Sequence, residues 1–198
     1  MNVEIKALSK HIISDIPSGG GFFPFGIDGD APYIVEYESQ ELELDGFFNK
    51  WMTKLNKFPI YALFSYTKID EEEIDNLFTS SQIEYVKTKV KRERFIKAKI
   101  KNNKQFEVVM STLYNQGNIN EFAGWSLLED IFSFDEREMK TFAGRKKVYM
   151  PIITLQKSST MFWICYDGSS VVSISNDSMF STSHSIVSSL PENIKINL

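Results

Sequence analysis

Apolar and polar positions along this chain change their spacing several times, and each change marks an element. Val3 and Ile5 alternate with charged residues as in a strand. Leu8, Ile12 and Ile16 recur at helical spacing, so residues 3–16 read either way until Pro17 and the glycines end them. "PYIVEYE" at 32–38 reads as a strand. From 41 to 55, Phe47, Trp51 and Leu55 recur at i, i+4 and i+8 with Phe48 and Met52 beside them, and Glu41, Glu43 and Asp45 stand where a helix dipole favours acids. "PIYALFSY" at 59–66 is an apolar run of strand length. "DEEEIDNLF" then starts a short helix over 71–79, with Asp70 and Glu73 at capping-box spacing.

Residues 82–90 and 94–101 alternate with period two. In the second, Ile96, Ala98 and Ile100 share one face and Lys97, Lys99 and Lys101 the other. "KNNK" reads as a hairpin turn that returns the chain through "QFEVVMST" as a further strand. Trp125, Leu128 and Phe132 suggest a helix over 121–132, and a second short helix over 135–142 is expected to end at Gly144. "VYMPIITL", "MFWICY" and "VVSIS" predict a three-stranded meander, with Pro151 at an edge position. "TSHSIVSSL" reads as a short helix and "NIKINL" as a closing strand. The sum is an α+β fold: a mainly antiparallel sheet, several short helices and a C-terminal β-meander.

At 198 residues the chain suits one domain. If it divides into two lobes, "NQGNIN" marks the boundary, with an α+β lobe at 1–117 and a helix pair plus meander at 118–198. No apolar run approaches the length of a membrane helix. No signal peptide is read at the N-terminus. The one cysteine, Cys165, fits a reducing, cytoplasmic setting. The formal net charge of −4 hides an asymmetry. Residues 87–104 hold nine Lys/Arg and one acid, net +8, so the remainder carries −12. Such a segment is a solvated sheet face or a guarded edge strand, a surface for an acidic protein, or a surface for nucleic acid. Only Phe95 interleaves its cations, where nucleic-acid binders place several aromatics.

"GGGFFPFGIDGDAP" at 19–32 tests as a ligand loop and fails. A phosphate loop needs a lysine and a hydroxyl after its last glycine, and Gly26 precedes Ile27 and Asp28. The dinucleotide fingerprint requires a third glycine where Pro24 stands. A calcium loop starting at Asp28 would place Asp30 well, but Pro32 and Ser39 fall where ligands belong. What remains is a turn into a strand, with phenylalanines that enter the core or face a partner. His11, His184 and Cys165 are too few and too scattered for a zinc site, and no G-x-S-x-G elbow occurs. No catalytic residue, cofactor or metal is therefore assigned.

"FFPFGIDGDAPYIVEYE" at 22–38 resembles a segment of SUKH-superfamily proteins, in which Pro-Phe-Gly and an acidic glycine turn precede a sheet strand; "ELDGFFNKW" would supply the helix that follows. "FWICYDGSSVVSIS" at 162–175 is similar to the Tyr-Asp-Gly hairpins of small bacterial immunity proteins. The resemblance implies a non-catalytic cytoplasmic inhibitor that occludes one protein partner, a toxin or effector domain. On that reading Lys97, Lys99 and Lys101 meet an acidic partner, with Phe22, Phe23 and Asp28 as secondary contacts. Two other classes stay open: a small regulatory protein binding nucleic acid through 87–104, and a carboxylate-dependent enzyme without a recognisable motif.

Overall fold

The computed structural model describes residues 2–13, 23–39, 44–141, 143–192 and 194–197. The first alternation resolves as a strand, β1 (Asn2–Ala7), with Val3 and Ile5 buried; a single 3-10 turn at Lys10–Ile12 follows, capped by Ser9. Short β2 (Gly26–Asp28) precedes β3 (Tyr33–Glu38). Helix α1 (Leu44–Leu55) buries Phe47, Phe48, Trp51 and Met52 of the stripe that its spacing predicts, together with Leu44, while Leu55 is half-buried. Strand β4 (Ile60–Ser65), helix α2 (Glu71–Ser80) and the hairpin of β5 (Glu84–Val90) and β6 (Glu93–Ile100) also lie where the pattern puts them. The capping box does not form. Asp70 is itself helical, and its carboxylate turns back to accept from the Thr67 amide (3.2 Å) and hydroxyl (2.8 Å).

The middle of the chain departs from the expected pattern. "KNNK" is a helix start, not a hairpin turn. Asn102 accepts the Gln105 amide at 3.0 Å and opens α3 (Asn103–Asn118), so "QFEVVMST" is helical. Phe106, Val109, Met110 and Leu113 form its buried stripe. The expected helix over 121–132 is instead strand β7 (Ala123–Leu127), every residue of which is buried. The expected helix over 135–142 is strand β8 (Phe132–Thr141), which pairs antiparallel with β9 (Gly144–Thr154). Gly144 has φ +110 at this hairpin turn, a conformation that favours glycine. The C-terminal meander is likewise revised. Strands β10 (Thr160–Ile164) and β11 (Ser170–Ser175) pair, but β9 lies in a different sheet. Helix α4 (Ser183–Ser189) and β12 (Lys195–Asn197) close the chain as expected.

Nine strands form one sheet in the order β12-β1-β3-β11-β10-β7-β4-β6-β5, and β2-β9-β8 form a second. The large sheet is antiparallel apart from the β1–β12 pair. Strands from before and after residue 117 interleave within it. Its two faces are covered differently. Trp125, Phe162, Tyr37 and Phe64 meet the apolar stripes of α1, α2, α3 and α4 on one side. Leu63, Phe95, Met161, Trp163 and Ile174 meet Ile131, Phe132, Ile153 and Leu155 on the other, together with Phe23 and Phe25. The protein is therefore an α+β sandwich of three layers: helices, large sheet, small sheet. Pro151 stands opposite Phe134, one residue before the β2 register begins, so only one neighbour strand flanks it there.

Helix α3 lies so close to β10 that a Cβ on Gly117 would sit 2.4 Å from Ile164 Cγ2 and 3.0 Å from its Cβ. Helix propensity alone favours alanine there by about 1 kcal/mol. A clash with the root of a buried, branched side chain costs about 1–3 kcal/mol. Gly117→Ala should therefore lower stability, read as an earlier urea midpoint at unchanged slope. A later midpoint would show that α3 can lift without loss.

Candidate functional site

The alternation of β6 splits the basic segment across the two faces of its hairpin. Lys87 and Arg94 lie on the helix side and are met by α2: Lys87 Nζ is 2.9 Å from Glu71 and 2.5 Å from Asp75, and Arg94 is 3.6 Å from Glu71. Lys97 and Lys99 point the other way. Lys97 donates to Asp130 and to the Phe132 carbonyl, both at 2.8 Å. Lys99 Nζ stands 6.0 Å from the centre of the Tyr61 ring. Lys101, just past the strand, donates to Glu84 at 2.5 Å. Acids from three other places in the fold thus neutralise much of the +8. Lys89, Lys91 and Arg92, around the β5–β6 turn, have no ion pair among the described residues.

The β8–β9 ribbon is longer than its support. At its base, Phe132 and Ile153 are buried and Phe134 packs on Phe95 with ring centres 4.9 Å apart. Between Asp135 and Tyr149 no described residue is buried. Strand β2 pairs only with Ile152–Thr154, so beyond it the ribbon stands as two strands without a third. Contacts of Phe132 with Lys97 and of Phe134 with Phe95 show that residue number rises along β8 as it falls along β6. The ribbon therefore heads toward the turn at Lys91 and Arg92. Its strands carry opposite charges that pair loosely, Arg145 with Glu138 at 3.4 Å and Lys147 with Glu136 at 4.0 Å. Lys140 and Lys146 have no ion pair among the described residues, which leaves the tip basic.

The loop that looked like a ligand cradle holds the root of this ribbon. Arg137 of β8 spans Asp135 at 2.6 Å and Asp28 at 2.9 Å, and the Leu155 amide donates to the Asp28 carbonyl at 2.8 Å. Gly29 sits at φ +98 with the Leu155 carbonyl 2.6 Å from where a Cβ would be, so the turn admits only glycine. Phe23 is in the second core, tilted against Phe25 and Trp163, and is 5% exposed. Phe22 lies outside the described residues. Of the six residues singled out from sequence, Lys97 and Asp28 both contact the β8–β9 hairpin or its approach. Lys99 and Lys101 stand further along the sheet, and Phe23 is an interior side chain.

A second set of polar groups gathers where β4 ends and β6 and β7 begin. Ser65 Oγ donates to Glu121 and accepts the Phe122 amide at 2.8 Å. Burial, and then the charge of Glu121, holds the Glu93 carboxyl above its ordinary range. The Tyr166 phenol is pushed up by burial and by the same two carboxylates. Nothing in the spacing of 65, 93, 121 and 166 announces this meeting, because it depends on which strands become neighbours. Cys165 follows β10, and burial raises its thiol to about 12, so it is not a thiolate at neutral pH. His11 and His184 are exposed, and among the described residues no three metal-binding side chains converge. No protein-family model matches the chain, and neither a curated protein nor a solved structure matches it.

The α2 contacts yield a pH prediction. Hydrogen bonds from Lys87 and then Tyr85 hold the Asp75 carboxyl below its ordinary value of 3.8. A depressed folded pKa contributes stability that is complete above the unfolded value and lost as pH falls through the folded one. Because Asp75 is partly solvated, the contribution is on the order of 0.5 kcal/mol. Asp75→Asn should lower stability by that amount at neutral pH and by nothing below the carboxylate range. Equal losses at both pH values in urea titrations would assign the effect to packing instead.

Proposed function

We propose that this protein binds one protein partner directly and blocks it by occlusion, without catalysis, as a cytoplasmic inhibitor of the immunity or anti-effector type. The observation that carries the reading is the β8–β9 ribbon. Two strands alone are marginally stable in water, and no described residue in the distal half of this ribbon is buried. Its presence makes sense as a contact element. Its tip offers Lys140, Arg145 and Lys146, and it points the same way as the Lys89, Lys91 and Arg92 turn. Two basic clusters on one side of the molecule, with Lys140, Lys146, Lys89, Lys91 and Arg92 outside any ion pair among the described residues, suit an acidic partner surface, since complementary potentials speed encounter and select the partner. The resemblance of 22–38 to SUKH-superfamily proteins supports the same class. Of Lys97, Lys99 and Lys101, Lys99 alone has no ion pair among the described residues, whereas the Lys97 and Lys101 ammonium groups already hold acids.

Co-purification with a tagged chain, followed by a binding titration, tests the proposal. Lys140→Glu combined with Lys146→Glu should weaken binding of the recovered partner by about tenfold or more at moderate salt, mainly through slower association. The circular dichroism spectrum should not change. Equal binding by the variant would remove the ribbon from the interface. A nuclease-sensitive 260 nm peak in the eluate, with affinity falling steeply with salt, would move the reading to nucleic acid.

A further inference from the structure

Strand β8 is an outer strand of the small sheet, with a free edge on the side away from β9. Alternate residues of an antiparallel strand bond to the neighbour, and the others turn their amide and carbonyl outward. Local contacts fix which are which. The Phe132 amide donates to Asp130 at 3.1 Å, and the Phe132 carbonyl accepts Lys97 at 2.8 Å. The Glu136 amide donates to the Asp135 carboxylate at 2.7 Å, and Pro151, opposite Phe134, has no N–H to give. Phe132, Phe134, Glu136, Glu138 and Lys140 therefore direct their backbone groups away from β9. The amides and carbonyls of Glu138 and Lys140 have no partner among the described residues.

A row of such groups is a template for another strand, and proteins guard it with like charges or proline. The other long edges are guarded in that way. Strand β5 carries Lys87 and Lys89, and β9 beyond its contact with β2 carries Arg145, Lys146, Lys147 and then Pro151. A second copy would meet its own charges there. The free edge of β8 instead changes sign, from Glu136 and Glu138 to Lys140. Identical chains close most often about a two-fold axis, which sets two β8 strands antiparallel. An axis at any residue from Asp135 to Lys140 other than Met139 would put a charge against its own copy. An axis at Met139 faces uncharged side chains and sets Glu138 of each copy opposite Lys140 of the other. Opposite charges directly across a strand pair stabilise it, and like charges do the reverse.

We propose that two copies of this chain pair edge to edge through β8 about a two-fold axis at Met139. Glu138 of each copy exchanges its amide and carbonyl bonds, and its charge, with Lys140 of the other, and the two methionines meet at the axis. Antiparallel pairing points the two bodies in opposite directions along the ribbon. Strand β9 and the β5–β6 turn take no part, so this inference does not rest on the partner reading above.

Sedimentation equilibrium of the full chain, from about 10 μM to about 1 mM, tests this. A monomer–dimer equilibrium is expected, with a Kd of about 0.1 mM or tighter, since a short edge contact makes a weak interface. Glu138→Lys and Lys140→Glu should each weaken it by about tenfold or more. Combined, they exchange the two charges and should restore the parent's Kd to within about threefold. Glu138→Pro removes an N–H that faces away from β9, so the β8–β9 ladder is kept. It should leave a monomer with an unchanged circular dichroism spectrum. A parent chain that stays monomeric at every concentration would overturn the proposal. So would a dimer that persists in folded Glu138→Pro, or a double variant that pairs no more tightly than the single ones.

Discussion

Strands β7, β10 and β11 are covered on both faces, and the rest of the molecule is arranged around that burial. Each of their residues is buried, from Ala123 to Leu127, Thr160 to Ile164 and Ser170 to Ser175. On the helix side, Trp125 stacks on Phe162 with ring centres 5.0 Å apart, and Phe48 and Trp51 close over them edge-on. On the other side, Trp163 is flanked by Phe23, Phe25 and Tyr166. The high phenylalanine content is spent largely on these two seams. Ring pairs of this kind add about 0.5–1.5 kcal/mol beyond the area they bury. The hydroxyls trapped among them are satisfied in pairs: Thr160 with Ser175 at 2.8 Å and Tyr37 with Ser173 at 3.2 Å. Satisfied hydroxyls keep a buried serine-rich strand from carrying a desolvation penalty.

Double-sided burial also decides what could be read from sequence. Strands with one wet face, such as β1, β3 and β6, alternate and were legible, as was α1 with its regular stripe. Strand β7 has no wet face and therefore no alternation, and Trp125, Leu128 and Phe132 happen to fall at helical spacing. The ribbon fails for the opposite reason. With both faces of its distal half in water, β8 has no apolar period, and "DEREMK" passes for a polar helix. At α3 two local signals competed. Asn102 and Asn103 favour turns and helix caps equally, and Val108 and Val109 weighted the choice toward a strand. The spacing of Phe106, Val109, Met110 and Leu113 was the better guide, because burial of a stripe outweighs the propensity of two residues.

The candidate surfaces were half legible. The lysine row on β6 follows from period two. The acids that meet it come from α2, from Glu84 and from Asp130, and only the strand order brings them there. The two ends of the large sheet consequently differ. Glu4, Glu36 and Glu38 stand along β1 and β3, with Lys6 held between Glu4 and Glu38, whereas unpaired cations collect at the β5–β6 turn and the ribbon tip. The protein is thus electrically lopsided even though its net charge is small.

The strand order imposes a timetable on synthesis. Strands β4, β5, β6 and β7 are close in sequence and can pair soon after they emerge. Strand β3 is different: it is flanked by β1 and by β11, and the bond from Ser173 to the Val35 carbonyl spans 138 residues. At translation rates of about 5–20 residues per second, the inner edge of β3 waits roughly ten seconds for its partner. During that interval the two-stranded β1–β3 pair carries apolar Val35 and Tyr37 on one face with no sheet beside it. Glu4, Glu36 and Glu38 on the opposite face set like charges between such pairs on neighbouring nascent chains. The acidic end of the sheet is therefore also the end that has to stay soluble longest while the protein is being made.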